Sequence, residues 1–333
     1  MPRPLSEQVV VLVGASSGIG RATALHMAAR GARMVVVARG AEALASLVEE
    51  IRAAGGEALA IPGDATREDD LRAVADQAVR RFGRIDTWIN NASIYVQGRV
   101  RDISLDEYRR IVDVNLIGCI NGTRCALEPM LRQGGGTIIQ TSSILGLHGA
   151  PYTSAYAAAK AGIDGFVDAL RAELWGTGVK VAVVYPPTVD TPIYRNARGK
   201  FGTVPLPPPP VVSPETAARV FARVAERPRR ARTFGALGYL YPAVANTLPA
   251  PLIDALLHRA LQYTLSDEPV GSDNWAAPLV RPRTRDGWIE PGWRGLTLRK
   301  LVRTFPQEMA VLGAAAGLLA AGAALRLAKP RGQ

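Results

Sequence analysis

Lysine is the scarce cation of this chain. Of 40 basic residues only five are lysines (Lys160, Lys180, Lys200, Lys300 and Lys329), the rest being arginine. Wherever any positive charge would serve, the chain uses arginine. Lys160, the first lysine from the N-terminus, therefore marks a position that wants a compact ammonium rather than a guanidinium fork. Cysteine is almost absent as well: Cys119 and Cys125 are too few for a disulfide scaffold and fit a reducing compartment or a fold facing the cytosol. The histidines, His26, His148 and His258, are scattered, and neither cysteine has a His or Cys neighbour at ligand spacing, so no metal site is expected. The first apolar run, Val9–Val13, is shorter than the core of a secretory signal and runs straight into a glycine loop; it reads as a strand. Acidic residues are too few to balance the arginines, and the formal charge is +11. The basic residues are spread along the chain, with "ERPRRAR" at 226–232 and a weaker run at 294–303 the nearest to clusters. That spread reads as a solvated surface with no nucleic-acid partner, though an anionic substrate, cofactor or lipid surface could use the charge.

What the sequence does contain is regular alternation. Strand-like runs at Val9–Val13, Arg33–Ala38, 58–61, Thr87–Asn90, Gly136–Thr141 and 180–185 alternate with helical patterns at 19–30, 41–54, Glu68–Phe82, 105–132 and 154–175. This order predicts an α/β fold, a doubly wound parallel sheet of the Rossmann type that binds ligands beyond the carboxyl ends of its strands. After Tyr185 the pattern loosens. "VPLPPPPVV" at 204–212 excludes a helix or a central strand there; a helix at 211–226 and a last strand at 232–235 follow. The expected organisation is a dinucleotide-binding and catalytic domain over 1–236, a mostly helical or irregular extension over 237–304 with one helix at 252–263, and an Ala/Gly-rich tail over 305–333. Within the tail, 309–325 is a charge-free span of 17 residues containing "GAAAG". It is at the short end for crossing a bilayer, which leaves a membrane helix and a helix packed on a partner subunit both open. The expected location is cytoplasmic, with membrane association through that tail as the alternative.

Two constellations carry chemistry. "VGASSGIG" at 13–20 follows a strand and opens a helix. Gly14, Gly18 and Gly20 permit a tight turn and close approach of a pyrophosphate, which the free N–H groups of the helix start would face; Ser16, Ser17 and Ile19 complete the loop. In "SAYAAAK", Tyr156 and Lys160 stand at i and i+4 on one helix face. An ammonium beside a tyrosine stabilises its phenolate and makes it a usable acid or base near neutrality. On its own the pair reads first as a surface contact.

Gly14-x-x-x-Gly18-Ile19-Gly20, "NNA" at 90–92, Asn115 in "VNLIG", Ser143 in "TSS" and Tyr156-x-x-x-Lys160 occur in this order. Together they resemble the short-chain dehydrogenase/reductase family over residues 8 to about 235. The resemblance implies that Tyr156 is the general acid in carbonyl reduction and the base in alcohol oxidation. It makes Lys160 the group that eases tyrosine ionisation and holds the nicotinamide ribose hydroxyls. Ser143 would hydrogen-bond the substrate oxygen, and Asn115 would anchor a proton-relaying water. Asn91 would join the glycine loop in cofactor binding, Asp64 of "GDAT" would lie beside the adenine, and Val189 and Thr191 would meet the carboxamide. The chain departs from the family pattern at Val13 (usually Thr), Ser93 (usually Gly) and Pro187 (usually Gly).

The second strand ends in Ala38 and Arg39 with no carboxylate to bind ribose hydroxyls, so NADP(H) is expected over NAD(H), with Arg39 on the 2′-phosphate. Ile94, Tyr95, Leu145 and Tyr194, on segments that flank the family's pocket, carry no charge and suggest a moderately apolar ketone, aldehyde or alcohol as substrate. A homo-oligomer is the expected assembly. The rival reading is a catalytically weak dinucleotide sensor or scaffold recruited to a membrane; the intact Ser143–Tyr156–Lys160 set argues against it, since a sensor needs no proton donor.

Overall fold

The computed structural model describes residues 3–262 and 265–269. Its centre is a sheet of seven strands: β1 (Val9–Val13), β2 (Arg33–Ala38), β3 (Glu57–Pro62), β4 (Thr87–Asn90), β5 (Gly136–Thr141), β6 (Val179–Tyr185) and β7 (Ala231–Thr233). All pair in parallel, in the order β3-β2-β1-β4-β5-β6-β7. The chain starts in the middle, winds out to β3, returns beside β1 as β4 and winds out the other way. The reversal between β1 and β4 opens the crevice in which such sheets bind ligands.

The strand sequences explain this placement. β1 is an unbroken apolar run, buried on both faces as a central parallel strand must be. Val10 and Leu12 join one core with α1 (Gly18–Ala28), α2 (Ala41–Ala53) and, much later in the chain, the helix Pro214–Glu226. Val9, Val11 and Val13 point to the other core, shared with α3 (Glu68–Phe82) and the helix Gly118–Arg132. The two-residue period of the strand thus builds both layers at once.

Two expectations about helices need correction. The stretch 105–132 is not one regular helix: α4 (Leu105–Val112) passes through a π turn, Asp113–Ile117, into α5 (Gly118–Arg132). Asn115 sits in that turn, whose extra residue per turn rotates it toward Ile94. Farther on come α6 (Ser154–Glu173) and α7 (Pro214–Glu226). The last strand, expected at 232–235, stops at Thr233, because Gly235 at φ +70° turns the chain into α8 (Gly235–Ala245).

This helix, which straddles residue 236, is absent from the sequence reading because Pro242 lies inside it. Proline lacks an N–H and crowds the carbonyl four residues back, but here tertiary contact outweighs that local penalty. The hydroxyl of Tyr241 donates toward the carbonyls of His148 and Gly149, at 3.1 and 3.0 Å. α9 (Ala250–Gln262) follows, and Leu265–Pro269 pairs antiparallel with Thr203–Pro205. Among the described residues no helix is long and apolar enough to cross a membrane, and the tail span 309–325 lies outside them.

α4 also anchors a segment that borders the site. Ser104 and Glu107 form a reciprocal capping box at its start. The same Glu107 carboxylate accepts hydrogen bonds from Arg198 and Lys200 at 2.6 and 2.7 Å. Burial pushes Glu107 up, but the bonds from Lys200, Ser104 and Arg198 outweigh it and hold the carboxyl below its ordinary range. Its folded value lies below its unfolded one, so its contribution is full at neutral pH and fades as the pH drops through the folded value. Glu107→Gln is expected to lower stability at pH 7 by about 3 kcal/mol. Urea unfolding of both proteins checks this: the gap between them should shrink below about pH 4, and an equal gap at pH 7 and pH 3 would contradict it.

Candidate active site

The carboxyl ends of β1, β2, β4, β5 and β6 open into a cleft of about 260 Å³. The glycine loop forms its floor. The N–H groups of Gly14 and Ala15 both donate to the Val37 carbonyl, tying the loop to β2, and the Asn91 amide donates to the Gly14 carbonyl. Gly14 takes φ +89°, and a Cβ there would lie 2.5 Å from the Ala92 nitrogen. At Gly20 a Cβ would lie 1.9 Å from the Gly14 carbonyl oxygen, so only glycine lets α1 start this close to the loop. Ser17 is the extended N-cap of α1 and makes no side-chain cap bond, and Ser16, Gly18 and Ile19 line the same wall. The first-turn N–H groups of α1 suit a pyrophosphate.

At the adenosine end the cleft is lined by Arg39, at the turn after β2, and by Asp64, after β3. Burial pushes Asp64 up, but hydrogen bonds from the Thr66 N–H and hydroxyl, with Arg110 and Arg39 nearby, win and hold it ionised below its ordinary range. Arg110 of α4 is a site residue that the sequence reading missed; its guanidinium is 3.7 Å from the Asp64 carboxylate. No local motif marks it, because it reaches the cleft only through the packing of α4.

At the opposite end Tyr156 and Lys160 project from α6. Lys160 is 1% exposed, and its ammonium donates to the Thr141 carbonyl at 2.8 Å. The ammonium also lies 5.5 Å from the centre of the Tyr156 ring. Ser142 and Ser143 divide their work. The Ser142 hydroxyl donates to the Lys160 carbonyl at 3.1 Å and so holds α6. Ser143, the N-cap of the helical turn Ile144–Leu147, accepts from the Leu145 N–H at 3.2 Å, which leaves its own O–H free to donate. Asn115 is wholly buried and does not line the cleft. Its amide donates to and accepts from the Ile94 backbone, both at 2.9 Å, and thereby places the segment that carries Tyr95.

The Tyr95 ring meets the Tyr156 ring edge-on at 5.1 Å and the Tyr194 ring at 5.8 Å. Burial, with Tyr194 and Tyr156 beside it, pushes the Tyr95 hydroxyl well above its ordinary range, so it stays neutral. Leu145, Ile193 and Tyr194 complete this apolar patch, while Ile94 lines the cleft from the adjoining core. Val189 and Thr191 close the cleft from above; a Cβ on Gly18 would lie 3.0 Å from the Thr191 Cβ. Two residues of the wall, Ser93 and Thr141, hold buried hydroxyls with no hydrogen-bond partner among the described residues. A glycine cradle, a helix start, two arginines and unsatisfied hydroxyls fit a dinucleotide.

A family model described as short chain dehydrogenase matches residues 8–200. The chain is 34% identical over 257 residues to the uncharacterized oxidoreductase YxnA of Bacillus subtilis, spanning 74% of this chain and 72% of that protein. It is 37% identical over 193 residues to a 3-oxoacyl-(acyl-carrier-protein) reductase of Synechocystis sp., spanning 58% of this chain and 78% of the other. To a cyclohexanol dehydrogenase of an Acinetobacter species it is 34% identical over 194 residues, 58% and 77% of the two chains.

The crowding at Gly20 leads to a direct test. Gly20→Ala must push α1 away from the loop, and NADPH affinity is expected to fall on the order of tenfold or more, the worth of one charge-assisted hydrogen bond. Fluorescence titration measures this and circular dichroism confirms folding; a folded variant with unchanged affinity would remove the α1 start as the phosphate seat.

Proposed function

The chain belongs to the short-chain dehydrogenase family, oxidoreductases of the CH–OH/C=O pair that use NAD(P)(H), and from that premise we propose that it reduces a moderately apolar ketone or aldehyde with NADPH, or runs the reverse oxidation. The observation that carries this reading is the convergence of Ser143, Tyr156 and Lys160 on one end of a cleft whose other end holds the glycine loop and two arginines.

In the reductive direction the substrate carbonyl oxygen sits between the Ser143 and Tyr156 hydroxyls. A nicotinamide held in the cleft would supply the hydride for the carbonyl carbon. Tyr156 gives its proton to the carbonyl oxygen as negative charge develops there, and Ser143 donates to the same oxygen, an interaction strongest in the transition state. The Lys160 ammonium, buried and fixed on Thr141, stabilises the phenolate left behind. Its remaining N–H groups would hold the ribose hydroxyls of a bound nicotinamide nucleotide, and oxidation would reverse each transfer. Asn115 keeps the relay side of Lys160 in order by fixing the Ile94 segment, and a water beside it would return the proton from bulk solvent. Asn91, Val189 and Thr191, which line the cleft, would hold the nicotinamide half in place.

The cofactor preference rests on charge. Arg39 and Arg110 both line the adenosine end against the single carboxylate of Asp64, a balance that favours a 2′-phosphate. The apolar patch of Tyr95, Leu145 and Tyr194 selects the substrate, and the reductase and the alicyclic alcohol dehydrogenase among the relatives agree with a ketone-sized, uncharged reacting group.

Parallel titration with NADPH and NADH, followed by a carbonyl screen, tests the proposal. Arg39→Asp should weaken NADPH binding on the order of 10- to 100-fold while barely changing NADH; equal effects on both would show that Arg39 does not read the phosphate. Tyr156→Phe should bind NADPH as the wild type does and lose about 10²- to 10⁴-fold in kcat. Turnover that survives this change would take Tyr156 out of the mechanism.

A further inference from the structure

The molecule carries a second concavity of about 570 Å³, far from the cleft. Topology locates it: Arg3 precedes β1, α1 ends just before β2, and α7 ends just before β7. All three therefore lie where strands begin, at the edge of the sheet opposite the nucleotide site. The groove is lined by Arg3, His26, Arg30, Arg219, Arg223 and Arg227, with Glu226 as its one acid.

The placement of these cations is costly. On α7 Arg219 and Arg223 are one turn apart on a single face with Arg227 at the C-cap, and His26 lies in the last turn of α1 with Arg30 just past its end. Like charges at this spacing repel. Little in the protein offsets them. Glu226 is engaged by Arg30 at 2.8 Å, and Arg219 bonds the Thr216 hydroxyl of its own helix. Arg3 reaches only to 3.8 Å of Asp86. The guanidiniums of Arg223 and Arg227 make no hydrogen bond or ion pair with any described residue.

The negative ends of α1 and α7 draw cations to their last turns. That accounts for Arg30, Arg223 and Arg227, but not for Arg219 in the second turn of α7 or for Arg3 on a separate segment. Five guanidiniums outnumber the partial charges of two helix ends. What remains is a concave, net-positive surface of planar forks suited to phosphate oxygens.

We propose that this groove is a second anion site, which takes a phosphate-bearing group of at least two negative charges. A soluble polyphosphate and an anionic lipid headgroup share that chemistry. His26 is its built-in reporter. Burial, Arg30 and Arg219 hold His26 below its ordinary range, with Glu226 pulling the other way. The groups facing it are Arg30 just past the end of its own helix, Arg219, Arg223 and Glu226 on α7, Arg227 at the C-cap of α7, and Arg3 on the N-terminal arm. An anion seated among them offsets the repulsion, so binding raises the proton affinity of His26 and, by linkage, strengthens as the pH falls.

The chain has three histidines, so the imidazole spectrum of the full-length, histidine-labelled protein is readable by NMR. The probe is sodium tripolyphosphate, compared with sodium chloride at matched ionic strength, because salt alone screens the arginines. Tripolyphosphate is expected to raise the His26 midpoint by about half a pH unit or more beyond the chloride control. Arg223→Ala with Arg227→Ala should abolish that difference. His148 and His258, which do not line the groove, are the internal controls. A second arm sediments both proteins with phosphatidylglycerol and phosphatidylcholine vesicles. Loss of phosphatidylglycerol binding in the double variant, with no response to tripolyphosphate, would assign the site to a lipid headgroup. A His26 midpoint that tripolyphosphate moves no more than chloride, together with equal vesicle binding by both proteins, would overturn the proposal. Neither substitution touches the nucleotide cleft, so this outcome is independent of the oxidoreductase reading.

Discussion

A buried ammonium is the constraint around which the site is built. Lys160 is almost completely enclosed, and the Thr141 carbonyl takes one of its three N–H bonds. Among the described residues no carboxylate forms an ion pair with it. Removing such a charge from water costs several kcal/mol unless polar groups replace the solvent. The surroundings are arranged to do so: Thr141 ends β5, Ser142 bonds the Lys160 carbonyl, and Ala155 and Ala159 let α6 lie close against its neighbours. An unpaired cation held this way has its electrostatic effect on what lies beside it, here the Tyr156 phenol. The choice of lysine in an arginine-rich chain follows from this geometry. A guanidinium is larger, and its fixed fork could not bond Thr141 and still swing donors toward a second partner.

The sheet order supplies the rest of the cleft. β1 and β4 are neighbours in space although three helices and two strands separate them in sequence, and their carboxyl ends diverge toward opposite directions of winding. The glycine loop leaves β1 and the Asn91 segment leaves β4, and the Asn91–Gly14 hydrogen bond closes the gap between them. Both halves of the nucleotide site thus depend on one pair of adjacent strands. The basic groove at the other edge depends on the same winding, since it forms where helices return to start new strands.

The extension past β7 is joined to the reacting side of the molecule. Tyr241 of α8 holds the carbonyls of His148 and Gly149, and Tyr152 packs edge-on against Phe201 and beside His258 of α9. Tyr152 takes φ +66°, a left-handed conformation that is unusual for a bulky side chain and is held by these contacts. The loop they brace runs from Ser143 to Tyr156. The Ser143 and Tyr156 hydroxyls are thus set in part by residues outside the segment that the family model matches.

Periodicity alone was enough to place β1 to β6 and the helices between them, because a strand buried on both faces must be a continuous apolar run and a flanking helix must carry an apolar stripe. The glycine loop and the Tyr156–Lys160 pair were equally legible, since backbone freedom at Gly14 and helical spacing at 156 and 160 are local properties. Tertiary structure decided what local rules could not. It turned the π segment so that Asn115 bonds Ile94, assigned Ser142 to α6 and left the Ser143 hydroxyl free to donate. It also kept α8 helical through Pro242 and brought Arg110 beside Asp64. Each of these depends on a partner tens of residues distant or on packing that outweighs a local preference. The sequence names such residues, but only the packed chain determines which atoms they meet.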